Sequence, residues 1–216
     1  MIDFVGTFNQ VIKGKHNGLG GALVVFEGHP QLLVGGFNYD LNDLPPAGVV
    51  LPCGTPVYCD EANRTITPLV TAKVNTVGPG KTLILEDNGF KMTAFKVGDT
   101  IGRIPDDLDS AVDNNDFSGE VTAVNGNIIT VSTSTSILAA GDILVQLNPT
   151  SKKVKVVPNA ITPYDVVRSA DAIAVDGEGM IGNDRPLLER RMPPYNDALK
   201  AAVQANGHKL TFSNRK

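Results

Sequence analysis

Two aspartates at matching corners are the first residues in this chain that could do chemistry. Asp99 stands in Val97-Gly98-Asp99-Thr100-Ile101 and Asp142 in Ala140-Gly141-Asp142-Ile143-Leu144. Two carboxylates that share one proton are the machinery of the two-domain acid proteases. Those enzymes carry the carboxylate in an Asp-Thr/Ser-Gly loop, whereas Gly-Asp-Thr and Gly-Asp-Ile run in the other order. The pattern therefore reads as a turn device before a strand. Gly78-Pro79-Gly80-Lys81-Thr82 invites a phosphate-loop reading. That loop needs a glycine where Asn75 stands and a helix after Thr82 to aim its N-terminus at the phosphates. Thr82-Leu83-Ile84-Leu85 predicts a strand there instead. Gly18, Gly20 and Gly21 miss the dinucleotide fingerprint, because Leu23 occupies the place of the third glycine.

Metal and nucleophile chemistry is equally sparse. The segment from Pro105 to Gly119 carries Asp106, Asp107, Asp109, Asp113 and Asp116, and Glu120 follows. Clustered carboxylates can hold Ca²⁺ through six to eight oxygens. Their order here matches no calcium loop, and like charges keep such a segment solvated, which is the favoured reading. His16, His29 and His208 each lack a second ligand at metal spacing. Cys53 and Cys59 are too far apart for a redox C-x-x-C, and no second pair exists for zinc. They read as packing thiols in neighbouring strands, with a disulfide across a hairpin as the alternative. Arg185, Arg190 and Arg191, with Lys152 and Lys153, are the densest basic content. They read as surface charge, or as contacts to an acidic partner. No residue is assigned a catalytic, cofactor-binding or metal-ligating role.

The elements that position these residues form one pattern written twice. The first copy runs Val74–Val77, a Gly78-Pro79-Gly80 turn, Thr82–Leu85, then the Asp99 corner and its strand. The second runs Val121–Val124, an Asn125-Gly126 turn, Ile128–Val131, then the Asp142 corner and its strand. Both turns use residues that accept positive φ, and Asn-Gly is the strongest short hairpin signal. β-branched residues fill the arms and suit a pleated, half-buried surface. Two such units close naturally into a small barrel, because closure removes unpaired edges.

Around this pair the rest reads as a frame. At 42% hydrophobic and 19% charged, the chain can build a core. Its 22 glycines and 14 prolines suit a turn-rich β protein. The expected fold is mainly β. A discontinuous frame over 45–72 plus 152–216 carries a C-terminal helix and holds a barrel insert over 73–151. Residues 1–44 hold a glycine run and two short apolar strands, Ala22–Phe26 and Gln31–Val34. They read either as a hairpin on the main body or as an arm that orders against another subunit. Further short strands are predicted at 49–52, 53–60 and 65–70, turning at Cys53-Gly54 and Glu61-Ala62-Asn63, and at 154–157 and 172–175. Tyr195 to Ala205 predicts a helix capped by Asn196 or Asp197 and stopped at Asn206-Gly207. A last strand is expected at Lys209–Phe212. Net charge −4 argues against nucleic-acid binding. With no Trp and 6% aromatics, a glycan-binding platform is poorly supplied. No signal peptide and no apolar run near the roughly 20 residues of a membrane span is written here, so a soluble chain is expected.

The order of pieces carries a resemblance. Pro46-Ala47-Gly48-Val49-Val50-Leu51 and Gly54-Thr55-Pro56-Val57-Tyr58 come first, then the doubled Gly-Asp unit, then Pro158-Asn159-Ala160-Ile161-Thr162. Leu187-Leu188-Glu189-Arg190-Arg191-Met192-Pro193-Pro194, a short helix and a Leu-Thr-Phe end close the series. Over most of 45–212 this layout resembles the head fibre and head decoration proteins of tailed bacteriophages and prophages. The resemblance implies a non-enzymatic β-rich protein on the capsid exterior of the virion, made in the bacterial cytoplasm. It also implies the major capsid protein as partner, a homotrimer, and no cofactor, nucleic acid or membrane. From a different class, the alternative is a glycan- or surface-binding adhesion module. A third, an enzyme, would need a deep pocket with perturbed carboxylates around Asp99 or Asp142.

Overall fold

Thirteen strands are described, and eleven of them close into two barrels. The structure is a computed structural model of the chain and describes residues 25–26, 28–87, 89–113 and 115–214. His16, the glycine run and most of the expected Ala22–Phe26 strand lie outside the described residues. Among the described residues no helix is long and apolar enough to cross a membrane.

The middle barrel is built from β4 (Thr71–Val77), β5 (Thr82–Leu85), β6 (Thr100–Arg103), β7 (Ser118–Asn125), β8 (Ile128–Val131) and β9 (Ile143–Leu147). Their order around the barrel is β4-β5-β8-β7-β6-β9, and every pair is antiparallel. Exchanging the first three strands with the last three maps this order onto itself. The register obeys the same exchange. Val74, Thr76 and Val77 face Leu85, Ile84 and Leu83, with Asn75 bulged out. Val121, Ala123 and Val124 face Val131, Thr130 and Ile129, with Thr122 bulged out at the equivalent place. A bulge adds twist and bends its strand, which a small barrel needs in order to close. The sequence duplication is thus a structural one. Inside sit Val74, Leu83, Phe95, Ile101, Phe117, Val121, Ile129 and Leu144, all buried.

The second barrel has the order β1-β11-β10-β2-β3. Its strands are β1 (Pro30–Tyr39), β2 (Pro56–Asp60), β3 (Thr65–Pro68), β10 (Ala160–Ile161) and β11 (Val175–Asn183). β1 closes it, pairing antiparallel with β11 and parallel with β3. This corrects the placement of residues 30–39 in a separate arm or hairpin. Phe37 and Tyr39 are buried on either side of exposed Asn38, the period of two that a barrel stave requires. β11 differs from expectation too. The sequence predicts a strand over 172–175, but Ile173 is 96% exposed and the strand begins at Val175. Three glycines hide it, because glycine weakens a strand pattern except where another backbone or a ring must come close. Residues 154–157, expected to be a strand, make only a bridge from Val154 to Leu147.

Helix α1 (Asp197–Gln204) joins the outer faces of the two barrels. Leu199 packs with Leu69, Val145 and Leu147, and Val203 four residues on packs with Ile161, Met180 and Leu210. Asn196 caps it: Oδ1 accepts the Leu199 N–H at 2.9 Å, while Nδ2 donates to the Pro105 carbonyl at 3.0 Å. Asn196→Ala removes both bonds. It is expected to cost about 1–2 kcal/mol and to raise amide exchange at residues 106–110, read by urea denaturation and hydrogen exchange. Beyond the helix, Gly207 takes φ +78° and stops the turn. The final strand is β13 (Phe212–Ser213), parallel to β12 (Leu187–Leu188).

Candidate functional site

The two aspartate corners are built alike. Gly98 (φ +93°) and Gly141 (φ +99°) turn the chain through a conformation that favours glycine. Asp99 then accepts the Lys96 N–H at 3.0 Å, and Asp142 accepts the Ala139 N–H at 2.8 Å. Each corner also locks to the opposite unit. Gly98 N–H donates to Val121 O and Gly141 N–H to Val74 O, at 2.9 and 2.8 Å. The same oxygen of each carboxylate, Oδ2, also accepts from the other unit's third strand. Gln146 Nε2 donates to Asp99 Oδ2 at 2.9 Å, and Arg103 Nη2 donates to Asp142 Oδ2 at 2.9 Å.

Gln146 and Arg103 are themselves equivalent positions, four residues after their own aspartates. Gln146 is buried, and its Oε1 accepts the Val70 N–H at 3.1 Å. Arg103 reaches further, to Asp116 at 3.1 Å and to the Ile137 carbonyl at 2.7 Å. The two corners lie at opposite ends of the antiparallel β6–β9 pair, where Thr100 faces Leu147 and Arg103 faces Leu144. A four-residue ladder is about 10–14 Å long, so the two carboxylates cannot share a proton. What this arrangement does is fasten the two units together.

Sequence reasoning passed over Arg103 and Gln146. Their signal was a polar residue at the same place in both copies, ending apolar strands Thr-Ile-Gly-Arg and Ile-Leu-Val-Gln.

The other candidates scatter. Gly78–Thr82 is a hairpin turn, with Gly78 N–H donating to Thr82 O at 2.9 Å and β5 following where a phosphate site needs a helix. In the acidic segment Asp107 and Asp113 serve their own turns, while Asp116 pairs with Arg103. Asp107 accepts from Asp109 N–H and Ser110 Oγ, and Asp113 accepts from Asn115 N–H. The Ser110 hydroxyl and the Asp109 amide hold the Asp107 carboxyl below its usual range. Among the described residues no three His, Cys, Asp or Glu side chains gather at metal distance. The segment is not merely solvated, since Leu108 and Val112 are buried against the cluster containing Leu199. His29 lies beside Asp184 at 3.4 Å, and His208 faces the Val203 carbonyl. The basic residues separate into two places. Lys153 acts on Asp107, while Arg190 and Arg191 border a groove.

Cys53 and Cys59 are both buried free thiols. Burial pushes each up to about 12, helped by Asp165 near Cys53 and Glu61 near Cys59. Both folded values lie above the unfolded thiol value of about 8.5. The stability they contribute is therefore complete below about pH 8.5 and declines as pH rises toward 12. A thiol reagent at pH 8 is expected to leave native protein unmodified and to titrate two thiols in urea. Rapid native reaction at either would contradict the burial.

The groove has a volume of about 740 Å³ and runs between residues 189–195 and the first hairpin of the middle barrel. Neither Asp99 nor Asp142 lines it. No protein-family model, no curated protein and no solved structure matches the chain.

Proposed function

We propose that this chain is a non-enzymatic structural protein of a tailed phage or prophage that decorates and stabilises the outer surface of the capsid. Its partner is the major capsid protein, and it acts as a homotrimer on the virion exterior. The observation that supports this reading best is the use of the paired carboxylates. Asp99 and Asp142, the best catalytic candidates in the sequence, hold the two halves of a barrel together through Gln146 and Arg103. Function is argued from a site, and the engagement of this carboxylate pair in holding the barrel supports a structural role. A pair of closed barrels offers rigid shape, and many copies on one shell let weak single contacts add up. The layout resemblance over 45–212 points the same way.

The test is co-sedimentation of purified protein with capsid shells of the phage whose genes accompany it. Saturable binding, with a sedimentation or light-scattering mass of a trimer for the free protein, is expected. Absence of binding to shells, together with clear hits on a glycan array, would replace this reading with the adhesion module.

A further inference from the structure

Ile173 is the most exposed large apolar side chain among the described residues, at 96%, and Val97 follows at 61%. It sits in Ser169-Ala170-Asp171-Ala172-Ile173-Ala174, a turn closed by the Ala172 N–H donating to Ser169 O at 3.3 Å. Alanines flank the isoleucine, and exposed Asp171 is the turn's one charge. The turn is fastened on both sides. Before it, the Gly48 N–H donates to Arg168 O at 3.1 Å, and Arg168 Nε donates to Pro45 O at 2.9 Å. After it, Val175 enters β11 opposite Tyr39. The result is a held apolar knob with a single negative charge. An interface anchor has this form, because covering a side chain on fixed backbone loses little ordering entropy.

The 740 Å³ groove has the converse character. Leu85, Met92, Ile143, Met192 and Pro193 line it, and Arg190 and Arg191 stand exposed on one wall. Lys73 pairs with Glu86 at 2.8 Å and Glu189 with Lys200 at 2.9 Å, while Asp87 accepts the Gly89 and Lys91 N–H groups. The wall of Arg190 thus stays positive beside an apolar floor. It fits an apolar group that carries one carboxylate, which is what the turn presents. Knob and groove are apart in one molecule. Thr55, on the groove, precedes Pro56, which lies level with Met180 through Ile161. Ile173 stands beyond the other end of β11, and Val175 to Met180 is about 17 Å of strand. The two surfaces therefore meet between copies, head to tail, and such contacts close into a ring when the rotation permits.

We propose that the Ile173 turn of one copy seats in this groove of a second copy, with Asp171 against Arg190. The inference rests on the homotrimer of the capsid reading and names the contact that builds it. It is tested on the full-length protein by sedimentation equilibrium over a concentration series, against the monomer mass of 22.8 kDa. Expected is a trimer whose dissociation constant rises at least tenfold in Ile173→Asp, with an unchanged circular-dichroism spectrum. Asp171→Arg and Arg190→Asp should each weaken assembly, and the two together should restore it to within about threefold of the parent. A benzophenone amino acid in place of Ile173 should cross-link between chains to Leu85, Met92 or residues 189–194. A parent that stays monomeric, a trimer indifferent to these changes, or cross-links within one chain or elsewhere on the surface would each overturn the proposal. Shell binding is scored apart: a parent that fails these tests yet binds capsid shells loses this contact and keeps the capsid reading, and one that passes them without binding shells does the reverse.

Discussion

Phe117→Ala is expected to lower the unfolding free energy by about 3–5 kcal/mol, a large share of the roughly 5–15 kcal/mol that holds a domain folded. The ring is fully buried in the core of the middle barrel, with Phe95, Ile101, Val121 and Leu144 in the same cluster. Its backbone is fixed as well. The Arg103 N–H donates to Phe117 O at 3.1 Å, and the Phe117 N–H donates to Asp116 Oδ1 at 2.7 Å. The neighbouring strand has given up a side chain to let this segment approach: a Cβ at Gly102 would lie 2.8 Å from Phe117 O. The backbone cannot slide inward to fill the cavity, so collapse around an alanine is limited. Urea denaturation reads the effect, and a loss below about 1 kcal/mol would show that the ring is not part of the core.

The second large effect is expected at Gly177 in β11. A Cβ there would stand 2.3 Å from Cε2 of Tyr39 and 3.0 Å from Cγ2 of Ile66. The Tyr39 ring is buried inside the five-stranded barrel and has no open direction in which to swing. Overpacking of this kind costs about 1–3 kcal/mol for alanine, and valine is expected to exceed that range. The cause is space and not backbone conformation, because Gly177 is absent from the positive-φ residues. Tyr39→Leu combined with Gly177→Ala should therefore recover part of the loss, a coupling that a double-mutant cycle measures. Equal loss with and without Tyr39→Leu would place the strain elsewhere.

What was legible in the sequence follows from which signals are local. Hairpins announce themselves by Gly78-Pro79-Gly80 and Asn125-Gly126, and the matching Gly-Asp corners reveal the duplication. Cap and stop residues place α1 to within two residues at its start. β11 was not legible, since Gly177, Gly179 and Gly182 are selected by close neighbours, Tyr39, Cys59 and Gln31, that are distant in sequence. The closing role of β1 was hidden for a similar reason. Its glycines mimic a loose arm, and only pairing with β3 and β11 makes it a stave. The partners of Asp99 and Asp142 lie in the other copy of the repeat, so no window on one copy could connect them.

The central claim is that the two corner aspartates serve the fold. The measurement that tests it most directly is the urea stability of Asp99→Ala and Asp142→Ala. Hydrogen bonds to charged groups contribute about 1.5–3 kcal/mol, and partial exposure reduces that, so each variant should lose about 1–2 kcal/mol. Asp142→Ala with Arg103→Ala should lose less than the two single changes added together. Stability equal to or above that of the parent in both aspartate variants would contradict the account, because carboxylates retained against stability mark a working site.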